Sequence, residues 1–107
     1  AVAWISHLPV FVSSSLIAAC LQETDSEVIK LAQQLASSGF RDTSRVGGGN
    51  PELGLMMAQY NKKALLRSLS VYREQLAEIM SAIEAENWEK VEQILAETKR
   101  ARTDFSF

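Results

Sequence analysis

The chain has 107 residues, 47% hydrophobic and 22% charged, with 11 Lys+Arg against 13 Asp+Glu for a net charge of −2. This is the composition of one globular domain; it excludes disordered and low-complexity classes, and the lack of basic excess argues against a nucleic-acid binder. A single cysteine, Cys20, allows no internal disulfide and no zinc spacing, so a reducing, cytoplasmic setting is expected, with no metal.

Residues 1–22 carry no Asp, Glu, Lys or Arg. A signal peptide would need a basic start, and a membrane span would place His7, Pro9 and Ser13 to Ser15 in lipid. The reading preferred here is a helix buried on most sides, with no membrane involved. It runs to about Leu21, and Pro9, which lacks an amide donor and crowds the carbonyl of Ile5, predicts a kink or a start near Leu8.

A second helix is expected from Asp25 to about Ser37, opened by a capping box of Thr24 and Glu27. Its apolar positions Val28, Leu31, Ala32 and Leu35 recur at helical spacing. Gly39 is expected to end it in the left-handed region, and residues 39–50 (GFRDTSRVGGGN) form a long non-periodic loop. Asn50 and Pro51 restart the chain as N-cap and first helical residue. No glycine or proline occurs between Leu55 and Asn87, so one long helix is expected from Pro51 to Glu84 or Ala85. Within it Leu65, Leu69, Tyr72, Leu76, Ile79 and Ile83 alternate spacings of four and three, the pattern of a coiled-coil seam. Asn87 caps a last helix with Trp88, Val91, Ile94 and Leu95 on its apolar face.

The fold class is therefore all-α, a helical bundle with one long helix. Over residues 51–84 that helix would be on the order of 50 Å long, against a diameter of roughly 34 Å for a compact chain of this size. A helix that overhangs its own monomer predicts an intertwined homodimer. The alternative is a helix broken near Asn61 or Ser68 inside a monomeric bundle.

Two features carry chemistry. On a helical projection Ser6, His7, Val10, Ser13 and Ser14 fall in one sector about 120° wide. A polar sector on an otherwise apolar helix needs partners, since an unpaired buried polar group costs about 1–3 kcal/mol. It either bonds to the 39–50 loop or lines a pocket; alternatively the histidine is a satisfied core residue and the serines bond back to their own helix. The loop itself combines Arg41, Asp42 and Arg45 with Gly47, Gly48 and Gly49. Glycines permit close backbone approach, and an arginine fork suits a carboxylate or phosphate. An anion site and a plain surface loop with an Asp42–Arg45 ion pair both fit. The triple glycine is neither a Walker loop nor a dinucleotide fingerprint. Cys20 reads as inert core, and Trp4 and Trp88 as core or interface.

The segments Ile5-Ser6-His7-Leu8-Pro9, Ser38-Gly39-Phe40-Arg41-Asp42-Thr43-Ser44-Arg45-Val46, Asn50-Pro51 and Tyr60-Asn61-Lys62 occur in this order. Together they resemble the C-terminal helical domain of the prephenate/arogenate dehydrogenases of tyrosine biosynthesis, over nearly the whole chain. Val10 and the Gly47-Gly48-Gly49-Asn50-Pro51 run are most similar to the arogenate dehydrogenases of cyanobacteria. The resemblance implies that residues 1–107 form a dimerisation and substrate-binding domain, and that an N-terminal Rossmann domain, absent from this chain, binds NADP (or NAD). It also implies oxidative decarboxylation of arogenate to tyrosine, or of prephenate to 4-hydroxyphenylpyruvate. On matching positions, Arg45 would hold a substrate carboxylate and Ser6 and His7 would lie at the pocket wall. Asp42 would orient Arg45 or gate the domain interface, and Asn61 would act from behind. Many prephenate-using relatives carry a second histidine where Val10 stands; a cationic histidine there would repel the ammonium of arogenate. The helix already under way at Ala1 reads as a cut inside a longer protein. The isolated chain is expected to dimerise without catalysing. Readings from other classes are a helical adaptor with no ligand site and an all-α mutase-type enzyme, which would need more convergent cations than Arg41 and Arg45.

Overall fold

The computed structural model describes every residue from Ala1 to Phe107, and all its regular structure is helical, as the periodicity predicts. A π-helical turn, Ala3–His7, leads into α1, Leu8–Cys20. Then come α2, Ser26–Leu35, α3, Ser38–Ser44, and a 3₁₀ turn, Arg45–Gly48. The chain ends with α4, Pro51–Tyr60, α5, Lys62–Glu84, and α6, Trp88–Arg102.

Pro9 sits at the second position of α1, directly after the π turn, and contributes no amide to the helical ladder there. The turn before it widens instead of kinking: the Leu8 amide donates to the Ala3 carbonyl, five residues back. Such π turns absorb a local conflict in the helical ladder and rotate the side chains they carry, here Ser6 and His7. The stretch Ala3–Cys20 has mean hydropathy 1.5 and is long and apolar enough to cross a membrane by length and composition, and 17% of it is buried. It is thus not the helix buried on most sides that its composition suggests; its own chain covers only part of it.

Three boundaries differ from expectation. Asp25, not Thr24, caps α2, its carboxylate accepting from the Glu27 amide at 3.0 Å. α2 stops at Leu35, where Ala36 and Ser37 are extended; serines compete with the helix for backbone bonds. Gly39 does not terminate it, and no glycine has positive φ. Residues 39–50 are not a loop but contain α3 and the 3₁₀ turn, elements of seven and four residues, too short to declare a period.

The long helix from Pro51 to Glu84 is interrupted at Asn61, whose φ of −133° and ψ of 35° leave helical space. Its amide closes α4 on the Met57 carbonyl, and its own carbonyl accepts the first bond of α5 from Leu65. α5 alone is about 35 Å long, so no single helix of about 50 Å spans residues 51–84. The Asn50 cap on α4 and the Asn87 cap on α6 are as expected, with the side chains accepting from Glu52 and Lys90 amides.

The chain divides into two compact units, Ala1–Leu69 and Ser70–Phe107. In the first, α1 lies against α3 and the 3₁₀ turn, and α4 against the π turn. Ala3, Leu8 and Leu65 are its buried apolar residues, with Ser13 and Ser68 buried beside them. The Ser68 hydroxyl donates to the Leu65 carbonyl at 2.9 Å. In the second unit only Ala82 is a buried apolar residue, and Lys90 pairs with Glu78 at 3.2 Å. Trp88 is exposed, as is Trp4 in the first unit, so neither is core within this chain.

α5 ends in a Schellman motif. The Asn87 amide bonds the Ala82 carbonyl and the Glu86 amide bonds that of Ile83, leaving Glu86 with φ of 55°. A left-handed residue with a Cβ costs about 1–2 kcal/mol, against about 0.5–1 kcal/mol of extra chain entropy for glycine. Glu86→Gly is therefore expected to stabilise the protein by up to about 1 kcal/mol, read as a rise in the urea midpoint.

Candidate functional site

The polar sector of the first helix finds its partners in this fold. The Ser13 hydroxyl oxygen, 1% exposed, accepts a hydrogen bond from the Gly47 amide at 2.8 Å. One turn up, the Val10 side chain lies against α4, its Cγ1 3.9 Å from where a Cβ on Gly54 would stand. A further turn up, Asn61 Nδ2 is 3.2 Å from His7 Nδ1. With the amide as donor, Nδ1 accepts and a neutral imidazole keeps its proton on Nε2, free to donate elsewhere. The sector thus bonds to the 39–50 segment and to the α4–α5 break, and the serines do not bond back to their own helix. Ser6 and Ser14 remain exposed.

One of the three glycines, Gly47, does approach a backbone closely, but it is that of its own protein. A Cβ on Gly47 would stand 2.6 Å from the Ser14 nitrogen and 2.7 Å from both the Ser13 carbonyl carbon and Oγ. No side chain fits there. Gly48 beside it has open space. This contact seats the 3₁₀ turn on α1, and Arg45 opens that turn.

Arg45 is exposed and forms no ion pair within the chain. Asp42, expected to orient it, instead approaches Arg41 at 3.7 Å, with both side chains about three-quarters exposed. Asp42 and Arg45 stand three residues apart, and no ion pair joins them. The structure therefore pairs His7 with Asn61, sets Val10 against α4 and seats the Arg45 turn on the same helix. It gives Asp42 no contact with Arg45. Ser13 and Gly47 are the residues that sequence reasoning did not rank as site residues. The polar sector and the triple glycine marked them, but only the tertiary contact pairs them.

A separate open apolar groove of about 500 Å³ lies among α1, α2 and α3, lined by Ile17, Cys20, Leu21, Ile29, Ala32 and Phe40 among others. Cys20 is thus a groove residue, half-buried, rather than core. None of the polar-sector residues borders it.

Residues 1–97 match the family model described as the dimerization domain of prephenate dehydrogenase. Among solved structures, the chain is similar to the crystal structure of Synechocystis arogenate dehydrogenase, at 56% sequence identity and a TM-score of 0.96. That similarity covers 98% of this chain and 38% of the Synechocystis chain.

Proposed function

This chain belongs to the prephenate dehydrogenase dimerization-domain family, and we propose that it is the dimerising, substrate-anchoring domain of an enzyme that oxidatively decarboxylates arogenate to tyrosine. The observation that carries the reading is Arg45: an exposed guanidinium without an internal partner, rooted on a turn that Gly47 fixes to the helix bearing Ser6 and His7. Such a group is free to form a forked, charge-assisted pair with a carboxylate. His7, oriented by Asn61, lines the approach as a donor, and Ser6 stands beside it. Val10 gives the wall an apolar surface where a cationic side chain would oppose an ammonium.

The residues present do not fit a dinucleotide. The glycines at 47–49 lie in a 3₁₀ turn after a helix, with Gly47 pressed on α1, whereas a nicotinamide cofactor needs a glycine-rich turn between strand and helix. NADP or NAD therefore belongs to a Rossmann domain outside this chain, which the 38% coverage of the Synechocystis protein accommodates. Two such chains pair through their helices, and the whole works in the cytoplasm. The partners gained by His7 and Ser13 support placing the first helix within protein rather than lipid.

Steady-state kinetics of the complete enzyme with both substrates test the reading. Arogenate is expected to be oxidised with the higher kcat/KM. Val10→His is expected to move the ratio toward prephenate by about tenfold, the size of one added polar contact. Turnover of neither substrate overturns the dehydrogenase reading, and equal turnover of both by the unaltered enzyme overturns the role of Val10.

A further inference from the structure

We propose that Ser13 is the positioning residue for Arg45, acting through the Gly47 amide; this rests on the anchoring role of Arg45 argued above. Arg45 and Gly47 belong to one 3₁₀ turn of four residues, Arg45–Gly48. A short turn of this kind has few internal bonds of its own. The amide of Gly47 donates to Ser13 Oγ at 2.8 Å across 34 residues of sequence, which ties the turn to α1. Ser13 is 1% exposed, so no water competes for the bond. The contact is also steric. The Gly47 α-carbon stands so near the backbone of Ser13 and Ser14 that a methyl group would overlap it, while Gly48 faces open space. Bond and close approach act at the same point and fix where the Arg45 backbone leaves the helix.

The consequence is a tie between the turn and one stretch of α1. Ser13 and His7 lie six residues apart on the same helical stripe, roughly 9 Å along the axis. The turn that carries Arg45 is therefore tied to the same helix that carries His7. The Ser13 hydroxyl touches no substrate in this scheme. It sets the geometry of the residue that does, and displacement of a binding group by about 1 Å is enough to change rates as much as a hundredfold.

The experiment is a double-mutant cycle in the complete enzyme, reading KM for arogenate, KM for the nicotinamide and kcat. Ser13→Ala is expected to raise the arogenate KM about tenfold and to leave the nicotinamide KM and kcat unchanged. Added to Arg45→Ala, it is expected to raise the arogenate KM no further. Lys30→Ala, on the exposed face of α2, is expected to leave all three parameters as they were. An arogenate KM unmoved by Ser13→Ala overturns the proposal, as does an increase that persists undiminished in the Arg45→Ala background. Should Ser13→Ala fail to fold, Ser13→Cys replaces it, a weaker acceptor at the same point: a raised arogenate KM supports the proposal and an unmoved one overturns it. If Arg45→Ala alone leaves the arogenate KM unmoved, the anchoring role itself falls, and the positioning role with it. That outcome is distinct from a failure of Ser13 alone.

Discussion

Replacing Arg45 by alanine in the complete enzyme is expected to raise the KM for arogenate by about ten- to a hundredfold, the range that hydrogen bonds to a charged group command. The nicotinamide KM should not move, because the role proposed for Arg45 is toward a substrate carboxylate. The protein should also stay folded. The guanidinium is exposed and unpaired within the chain, and surface substitutions away from special features change stability by no more than about 0.5 kcal/mol. Affinity and stability are thus separable at this position. Arg45→Lys is expected to fall between the two, keeping the charge and losing the planar fork. A KM for arogenate that is the same in Arg45→Ala as in the unaltered enzyme would remove the anchor from the proposed site.

What the amino-acid order reveals of this fold follows the range of the forces involved. Caps act within three residues, so Asn50 and Asn87 are readable directly, and the α2 cap is misplaced by only one residue, from Asp25 to Thr24. Pro9 is equally local, and it marks the place where the first helix changes register. α3 and the 3₁₀ turn leave no trace in the periodicity because neither completes enough turns to repeat a face. The break at Asn61 is the alternative that the sequence allowed, though no glycine or proline announces it. Its side chain instead pairs with His7, 54 residues earlier, and no pattern inside 51–84 encodes that contact. The same holds for the site. The polar sector of α1 and the glycine triplet are each visible alone, and the family resemblance names Arg45. That Gly47 meets Ser13 is a fact of packing. The expected Asp42–Arg45 pair is not formed; Asp42 lies 3.7 Å from its exposed neighbour Arg41 instead.

Introducing a charge into the α5 seam is expected to separate two copies of this domain. In the second unit, Tyr72, Leu76, Met80 and Ile83 are 40 to 60% exposed along one helix, and Trp88 and Leu95 of α6 are similarly bare. With only Ala82 buried among its apolar residues, this unit of fewer than forty residues lacks a core of its own, and chains that small need an added source of stability. The 50 Å helix that first suggested pairing does not exist, yet the apolar seam that it was to carry remains, now on α5, and it needs a cover. A second copy supplies one whose chemistry matches, in keeping with the dimerization-domain family. In a two-fold interface each substituted position counts twice. Losing a buried leucine costs about 1.5–3 kcal/mol, and an unpaired buried carboxylate costs more. Leu76→Asp is therefore expected to weaken association by at least about a hundredfold, since 1.4 kcal/mol is a factor of ten. Sedimentation velocity at micromolar protein should show the particle mass halved. Lys90→Ala removes a half-exposed ion pair with Glu78 and should leave the mass unchanged, because pairs of that kind contribute about 0–1 kcal/mol. A Leu76→Asp protein that sediments at the unaltered mass would place the contact between copies elsewhere. The groove between α1 and α2, also open and apolar, would then be the next face to test.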